Sequence, residues 1–273
     1  MRLLFLLLGC LAVPVAEGGD WVVYYDDKEP ARAFFDYDLV VFDSHYHPPL
    51  RPLNERGKTV LGYLSVGEVE SLRPWFEEVR GQGLLLEENP HWPGSHFVDV
   101  RDPRWRARVV EELVPQLVEQ GFDGVFLDTL DNPLHLEERD PERFAGMTVA
   151  AADLVRAIRR HYPYLEIMVN RAYDLLPRIA PSIDRVLGES VRTDYDFEDE
   201  TYQRVDADLH REQVQRLQEL GERFPHLTIH TLDYWYPDDP EAIAGIYAEQ
   251  RAHGFRPYVA TLALDRLVPE PSP

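Results

Sequence analysis

GFDGVFLDTLDNP, residues 121–133, contains a short apolar run, Val125 to Leu127, that begins at a glycine and ends at a carboxylate, Asp128. The run is apolar throughout instead of alternating. That suits a parallel strand covered on both faces better than an antiparallel strand with one wet face. Just before it, Pro103 to Gln120 places Val109, Val110, Leu113, Val114, Leu117 and Val118 on one stripe at helical spacing, and Gly121 supplies the stop. A helix feeding a buried strand is half of a βαβ unit, and the rest of the chain repeats the alternation.

Seven further short β-branched or aromatic runs recur, several of them also apolar throughout: WVVYYD (21–26), LVVFDS (39–44), TVLGYLSV (59–66), EIMVN (166–170), RVLGES (185–190), LTIHTLDY (227–234) and RPYVATLAL (256–264). Helical patterns separate most of them, around Glu70–Arg80, Pro141–His161, Asp206–Phe224 and Pro240–His253; the last two carry acidic residues in the first turn, as the helix dipole favours. Eight such units in about 250 residues predict an α/β fold of the (β/α)8 TIM-barrel type, with a doubly wound open sheet as the alternative. A ninth strand signal, HFVDV (96–100), falls in the long interval between Val66 and Phe122 and reads as part of an elaborated third βα connection. The chain has no internal repeat, linker or low-complexity segment beyond the Pro-rich tail Pro269–Pro273, so 19–273 is expected to be a single catalytic domain.

The N-terminus, MRLLFLLLGCLAVPVAEGGD, has one positive charge at Arg2, an apolar stretch to about Val15, then small and polar residues. It reads as a signal peptide over residues 1–18, which places the mature protein outside the cell or in its envelope. The single cysteine, Cys10, lies within it, in a Leu-Leu-Gly-Cys setting that resembles a bacterial lipobox. Lipidation at Cys10 is the alternative to its removal, and a lipid anchor there is the one membrane association expected, since no later run could span a bilayer. The formal charge of −21, from 28 basic and 49 acidic residues, argues against nucleic acid as a partner and suits a neutral or cationic one.

In a barrel the functional groups stand where strands end and βα loops begin. At those positions the chain offers Tyr25, Asp26 and Asp27; Asp43, His45 and His47; Ser65, Glu68 and Glu70; Asp128 and Asp131; Asn170 and Arg171; Glu189; Asp233, Tyr234 and Tyr236; and Asp265. Carboxylates with aromatic residues beside them are what glycoside hydrolysis needs, although carboxylates also cap helices at such loops. Asp128 emerges at the carboxyl end of its strand. Asp123 precedes the strand and reads as a helix-to-strand turn residue. Asp131 follows it, either as a substrate contact or as a loop-shaping residue. Two strands on, VLGES repeats the design and makes Glu189 the partner of Asp128, unless an ion pair with Arg171 or Arg192 occupies it.

GYLSVGEVES (62–71), FVDVRDPRW (97–105), GFDGVFLDTLDN (121–132) and the glutamate of LGES (187–190) together resemble glycoside hydrolase family 114, the endo-α-1,4-polygalactosaminidases, and related bacterial and archaeal glycosidases. The similarity runs from about Trp21 to Leu267. It implies a (β/α)8 barrel that cleaves α-1,4-linked galactosamine polymers without a metal or cofactor, with Asp128 as nucleophile and Glu189 as general acid/base. A partly deacetylated, cationic polymer would suit an acidic protein. Glu68 and Glu70 become substrate contacts by the same resemblance, and Tyr25, Asp26, Tyr63, Asp131, Asn170, Tyr234 and Tyr236 complete the expected binding set, with Trp235 a further ring that could stack on sugar.

Two other readings belong to different classes. FDSHYHP (42–48) spaces Asp43, His45 and His47 like the first ligands of a metal-dependent amidohydrolase. However, the later strands supply only His230, and the only lysines, Lys28 and Lys58, end no middle strand. A barrel that binds polysaccharide without cleaving it is the third reading, and it leaves a carboxylate pair at Asp128 and Glu189 without a task.

Overall fold

The computed structural model describes residues 21–271, so the expected signal segment and Cys10 lie outside the described residues. Eight parallel strands form one sheet: β1 (Trp21–Tyr24), β2 (Leu39–Phe42), β3 (Thr59–Ser65), β4 (Gly124–Asp128), β5 (Glu166–Asn170), β6 (Arg185–Glu189), β7 (Thr228–Tyr234) and β8 (Arg256–Ala260). Each lies beside the next in chain order. A doubly wound sheet would reverse its order partway; this one does not, and its edges return to each other. The Trp21 indole N–H donates to the Arg256 carbonyl at 2.9 Å, and the Tyr25 N–H donates to the Leu264 carbonyl at 2.7 Å. The sheet therefore nearly closes into the predicted barrel, with helices outside it.

The apolar runs are buried as parallel strands require: Val22, Val40, Val60, Val125, Ile167 and Val186 are all inaccessible to solvent. Register then places the site. Ser65 pairs with Asp128, Asn170 with Leu187, and Glu189 with Leu232, so Asp128, Asn170 and Glu189 end three adjacent strands at one mouth. The opposite end is tied by a repeated device. Asp123, just before β4, accepts the Val60 N–H at 2.9 Å, and Asp184, just before β6, accepts the Ile167 N–H at 2.8 Å. Asp123 is thus a turn residue, as its position suggested.

Several elements differ from the expectation. Residues 70–80 are not one helix: Glu68–Glu70 is a strand, and the helix begins only at Phe76, because the residue before Pro74 is biased toward extended backbone. The HFVDV signal corresponds to a strand at Ser95–Val98, which pairs antiparallel with Glu68–Glu70 and Leu85–Glu88 in a small side sheet on the third connection. The helix expected from Pro141 starts at Met147, after Gly146 turns left-handed at φ 86°. The helix from Pro103 runs to Gln120 but carries a π-turn over Val109–Leu113, where Pro115 has no N–H to give the preceding turn. A helix at Asn132–Arg139 and a hairpin of Thr193–Asp196 with Thr201–Arg204 were not foreseen.

Candidate active site

The strand ends surround a cleft of about 630 Å³ lined by Tyr25, Tyr63, Glu68, Glu70, Asp128, Asp131, Asn170, Arg171, Glu189 and Tyr234, among others. Of the expected binding residues, Asp26 and Tyr236 are not in this lining. Asp26 turns back onto the Lys28 side chain and the N–H groups of Asp27 and Lys28. Tyr236 stands on the loop after β7, where its hydroxyl accepts the Tyr202 N–H at 3.3 Å.

At the centre, one amide nitrogen joins the two carboxylates. Asn170 Nδ2 donates to Asp128 Oδ1 at 2.9 Å and to Glu189 Oε2 at 2.7 Å. Those two oxygens cannot lie farther apart than the two bonds laid end to end, about 5.6 Å. The Asn170 carbonyl oxygen is buried without a partner, a penalty of about 1–3 kcal/mol that two charge-assisted bonds offset. Each carboxylate also holds a tyrosine: Tyr63 donates to Asp128 Oδ2 at 2.9 Å, and Tyr234 donates to Glu189 Oε1.

Burial raises the Glu189 carboxyl above the ordinary glutamate range and the nearby Asp128 charge raises it further, while the bonds from Tyr234 and Asn170 and the charge of Arg171 pull it back. Burial likewise raises Glu68, against bonds from Asn89 Nδ2 at 2.8 Å and Asn132 Nδ2 at 3.0 Å. Asp131 sits on the exposed rim, yet the cleft walls around it and the Asp128 charge hold it above its usual value. Glu189 makes no ion pair with Arg171 or Arg192; Arg192 instead bonds Glu249 at 2.6 Å.

The loops beyond the strands fix these groups in place. Asp128, Asn170 and Glu189 are each followed by a non-glycine residue in the left-handed region: Thr129 at φ 62°, Arg171 at 47° and Ser190 at 54°. Backbone of this kind costs roughly 1–2 kcal/mol per residue and turns the chain sharply off the strand. Around Thr129 the turn is locked: its hydroxyl accepts the Gly67 N–H at 2.8 Å and lies 2.9 Å from Ser65 Oγ, while the Val66 N–H donates to the Asp128 carbonyl at 3.1 Å. Gly67 has to be glycine, since a Cβ there would lie 2.0 Å from the Thr129 carbonyl oxygen.

The Asp43, His45 and His47 set does not converge. Arg73 takes Asp43 at 3.0 Å and also contacts His45 Nδ1 at 3.2 Å. His47 packs on Phe42 and Phe122, with Nε2 on Gln120 at 3.1 Å. The metal-capable side chains that do come together among the described residues, His210, Glu249 and His253, lie on the outer helices away from the cleft.

Sequence reasoning missed Asn89, Asn132 and Asp194 in the cleft lining, together with Trp92 and Phe197 at its rim. None of them ends a barrel strand; they ride on the side sheet, the unforeseen helix and the unforeseen hairpin.

Comparison with known proteins agrees with this geometry. Residues 12–272 match the model of glycoside-hydrolase family GH114. The structure resembles the glycoside hydrolase domain of PelA from Pseudomonas aeruginosa with a TM-score of 0.81 and 28% identity, covering 92% of this chain and 98% of that one. It shares its fold with Ega3 of Aspergillus fumigatus, solved in complex with galactosamine, at a TM-score of 0.64 and 14% identity over 91% of this chain and 93% of that one. An uncharacterised protein of Deinococcus radiodurans is 30% identical over 224 residues, which are 78% of this chain and 67% of that protein.

Proposed function

The chain belongs to glycoside hydrolase family GH114, and from that premise we propose that it cleaves an α-1,4-linked galactosamine polymer with Asp128 as nucleophile and Glu189 as general acid/base. The observation that carries the two-carboxylate reading is the Asn170 bridge. It holds one oxygen of each carboxylate within about 5.6 Å of the other, which favours the short separation associated with retention over the roughly 6.5–9.5 Å by which inverting enzymes admit a water. Asp128 and Glu189 each accept hydrogen bonds at both oxygens, and the division of roles between them is the one the family resemblance implies. A general acid must hold its proton, and burial together with the Asp128 charge raises the Glu189 carboxyl.

In this mechanism Asp128 attacks the anomeric carbon while Glu189 protonates the departing glycosidic oxygen. Glu189, now ionised, then takes a proton from the water that releases the glycosyl group. Tyr63 and Tyr234 keep the two carboxylates oriented throughout. The acidic cleft suits a polymer whose free amines are cationic, as does the galactosamine seen with Ega3. Export belongs to the same proposal and is supported by the signal-like N-terminal sequence; no described helix is long and apolar enough to cross a membrane.

Asp128→Asn and Glu189→Gln test the reading. Against partly deacetylated α-1,4-galactosamine polymer, with products followed by mass spectrometry, each is expected to lower turnover by at least about 10³-fold while polymer binding persists. Normal turnover in either variant would overturn the assignment, and wild-type binding without any product would favour the binding-only barrel.

A further inference from the structure

A run of aromatic rings leaves the catalytic cleft and continues over its rim. Trp92, on the segment between the side-sheet strands Leu85–Glu88 and Ser95–Val98, meets Phe197, at the turn of the Thr193–Arg204 hairpin, edge to face at 5.5 Å. From Phe197 the rings continue to Tyr195 at 5.2 Å, Tyr202 at 5.2 Å and Tyr236 at 4.8 Å. Trp92 and Phe197 line the same cleft as Asp128 and Glu189, so the ridge is continuous with the reaction site.

Hairpin stability accounts for only part of this ridge. Tyr195 and Tyr202 are a cross-strand pair and staple the hairpin, which two strands alone would hold weakly. Phe197 and Trp92 lie outside that pair and stay 60% and 52% exposed, an unusual cost for two large rings that touch across a cleft mouth. The same hairpin reads TDYDFEDE over 193–200, carboxylates alternating with rings, and Glu198, Asp199 and Glu200 face solvent beside Phe197. Ring faces with carboxylates between them match a polymer whose sugar rings are apolar on one face and carry ammonium groups at the edge.

We infer that the ridge from Trp92 through Phe197 to Tyr236, with the acidic tip of the hairpin, is an extended subsite that holds the polymer beyond the catalytic pair and selects amino sugars with free ammonium groups. The inference rests on the proposed glycosidase reading and adds to it where the rest of the chain lies.

Binding to the Glu189→Gln protein tests it, using α-1,4-galactosamine polymer with and without chemical N-acetylation, and a galactosamine disaccharide. Trp92→Ala and Phe197→Ala, added singly to that protein, are expected to weaken polymer binding about two- to tenfold each, the worth of one aromatic contact, and to affect the disaccharide less. Replacing Glu198, Asp199 and Glu200 by their amides is expected to erase the preference for the free amine and the salt dependence that accompanies it. If the ring variants bind polymer as tightly as Glu189→Gln alone, or the amides leave the preference intact, the subsite is wrong although the glycosidase reading stands. If Glu189→Gln itself binds no polysaccharide, the glycosidase reading fails first.

Discussion

Asn170 presents one amide nitrogen to two carboxylates, and through it Asp128 and Glu189 share a single hydrogen-bonding environment. Burial and the Asp128 charge raise the Glu189 carboxyl above its ordinary value. The sign of one perturbation can be worked out. Tyr234 donates to Glu189 and so favours its charged form; Tyr234→Phe removes that donor, raises the Glu189 pKa further and keeps the acid protonated to higher pH. The alkaline limb of the kcat/KM profile should therefore move to higher pH, while the acid limb, set by the need for an ionised nucleophile, should stay in place. A shift of the alkaline limb to lower pH would contradict the assignment of Glu189 as the acid. Of the residues concerned, Asp128 and Glu189 were legible because each closes an apolar strand run. Asn170 was legible only as a polar strand end, since nothing in the chain says which way an amide turns.

At the scale of elements, the turn after β4 shows how little slack the site has. Gly67 lies against the Thr129 carbonyl with no room for a methyl group, and the loop from β3 and the loop from β4 are hydrogen-bonded through Thr129 Oγ1. Gly67→Ala is expected to destabilise the fold by about 1–3 kcal/mol and to lower kcat more than it raises KM, because the displaced Thr129 carries Asp128 with it. Thermal melts and steady-state kinetics check both parts. The barrel strands could be read from sequence because burial on both faces leaves an unbroken apolar signature. The hairpin at 193–204 could not: TDYDFEDE lacks the glycine that usually marks such a turn, and Glu200 takes the left-handed position at φ 52°. The Asn132–Arg139 helix was hidden by Pro133, which looks like a loop residue but is well tolerated in a first turn.

Across the whole molecule, two groups of carboxylates pull stability in opposite directions with pH. Asp233, fully enclosed between β7 and the outer helix that carries Gln250, is pushed by burial up to about 6 from an ordinary value near 3.8, and Glu68, Asp131 and Glu189 are raised too. A raised carboxyl binds its proton more tightly when folded, so stability falls as pH rises through that window, from about 4 to about 6 for Asp233. Asp99, Asp102 and Glu87, held by Arg101, Arg104 and Arg139, are lowered, and their contribution is lost as pH falls below the ordinary carboxylate range. The −21 net charge adds self-repulsion at neutral pH. The melting temperature is therefore expected to rise as pH drops from 8 to about 5 and to fall below about 4; a melting temperature that climbs steadily from pH 5 to 8 would contradict it. Thr129, Arg171 and Ser190 bear on a different kind of stability, that reached by laboratory selection. A glycine at Arg171 or Ser190 removes strain of roughly 1–2 kcal/mol against an entropic cost of about 0.5–1 kcal/mol, so a search for heat-resistant variants would collect glycines there, whereas at Thr129 it would also lose the hydroxyl that locks the turn. Each would free the carboxylate or amide just before it, and a library screened for survival alone would drift toward robust barrels that no longer cut sugar.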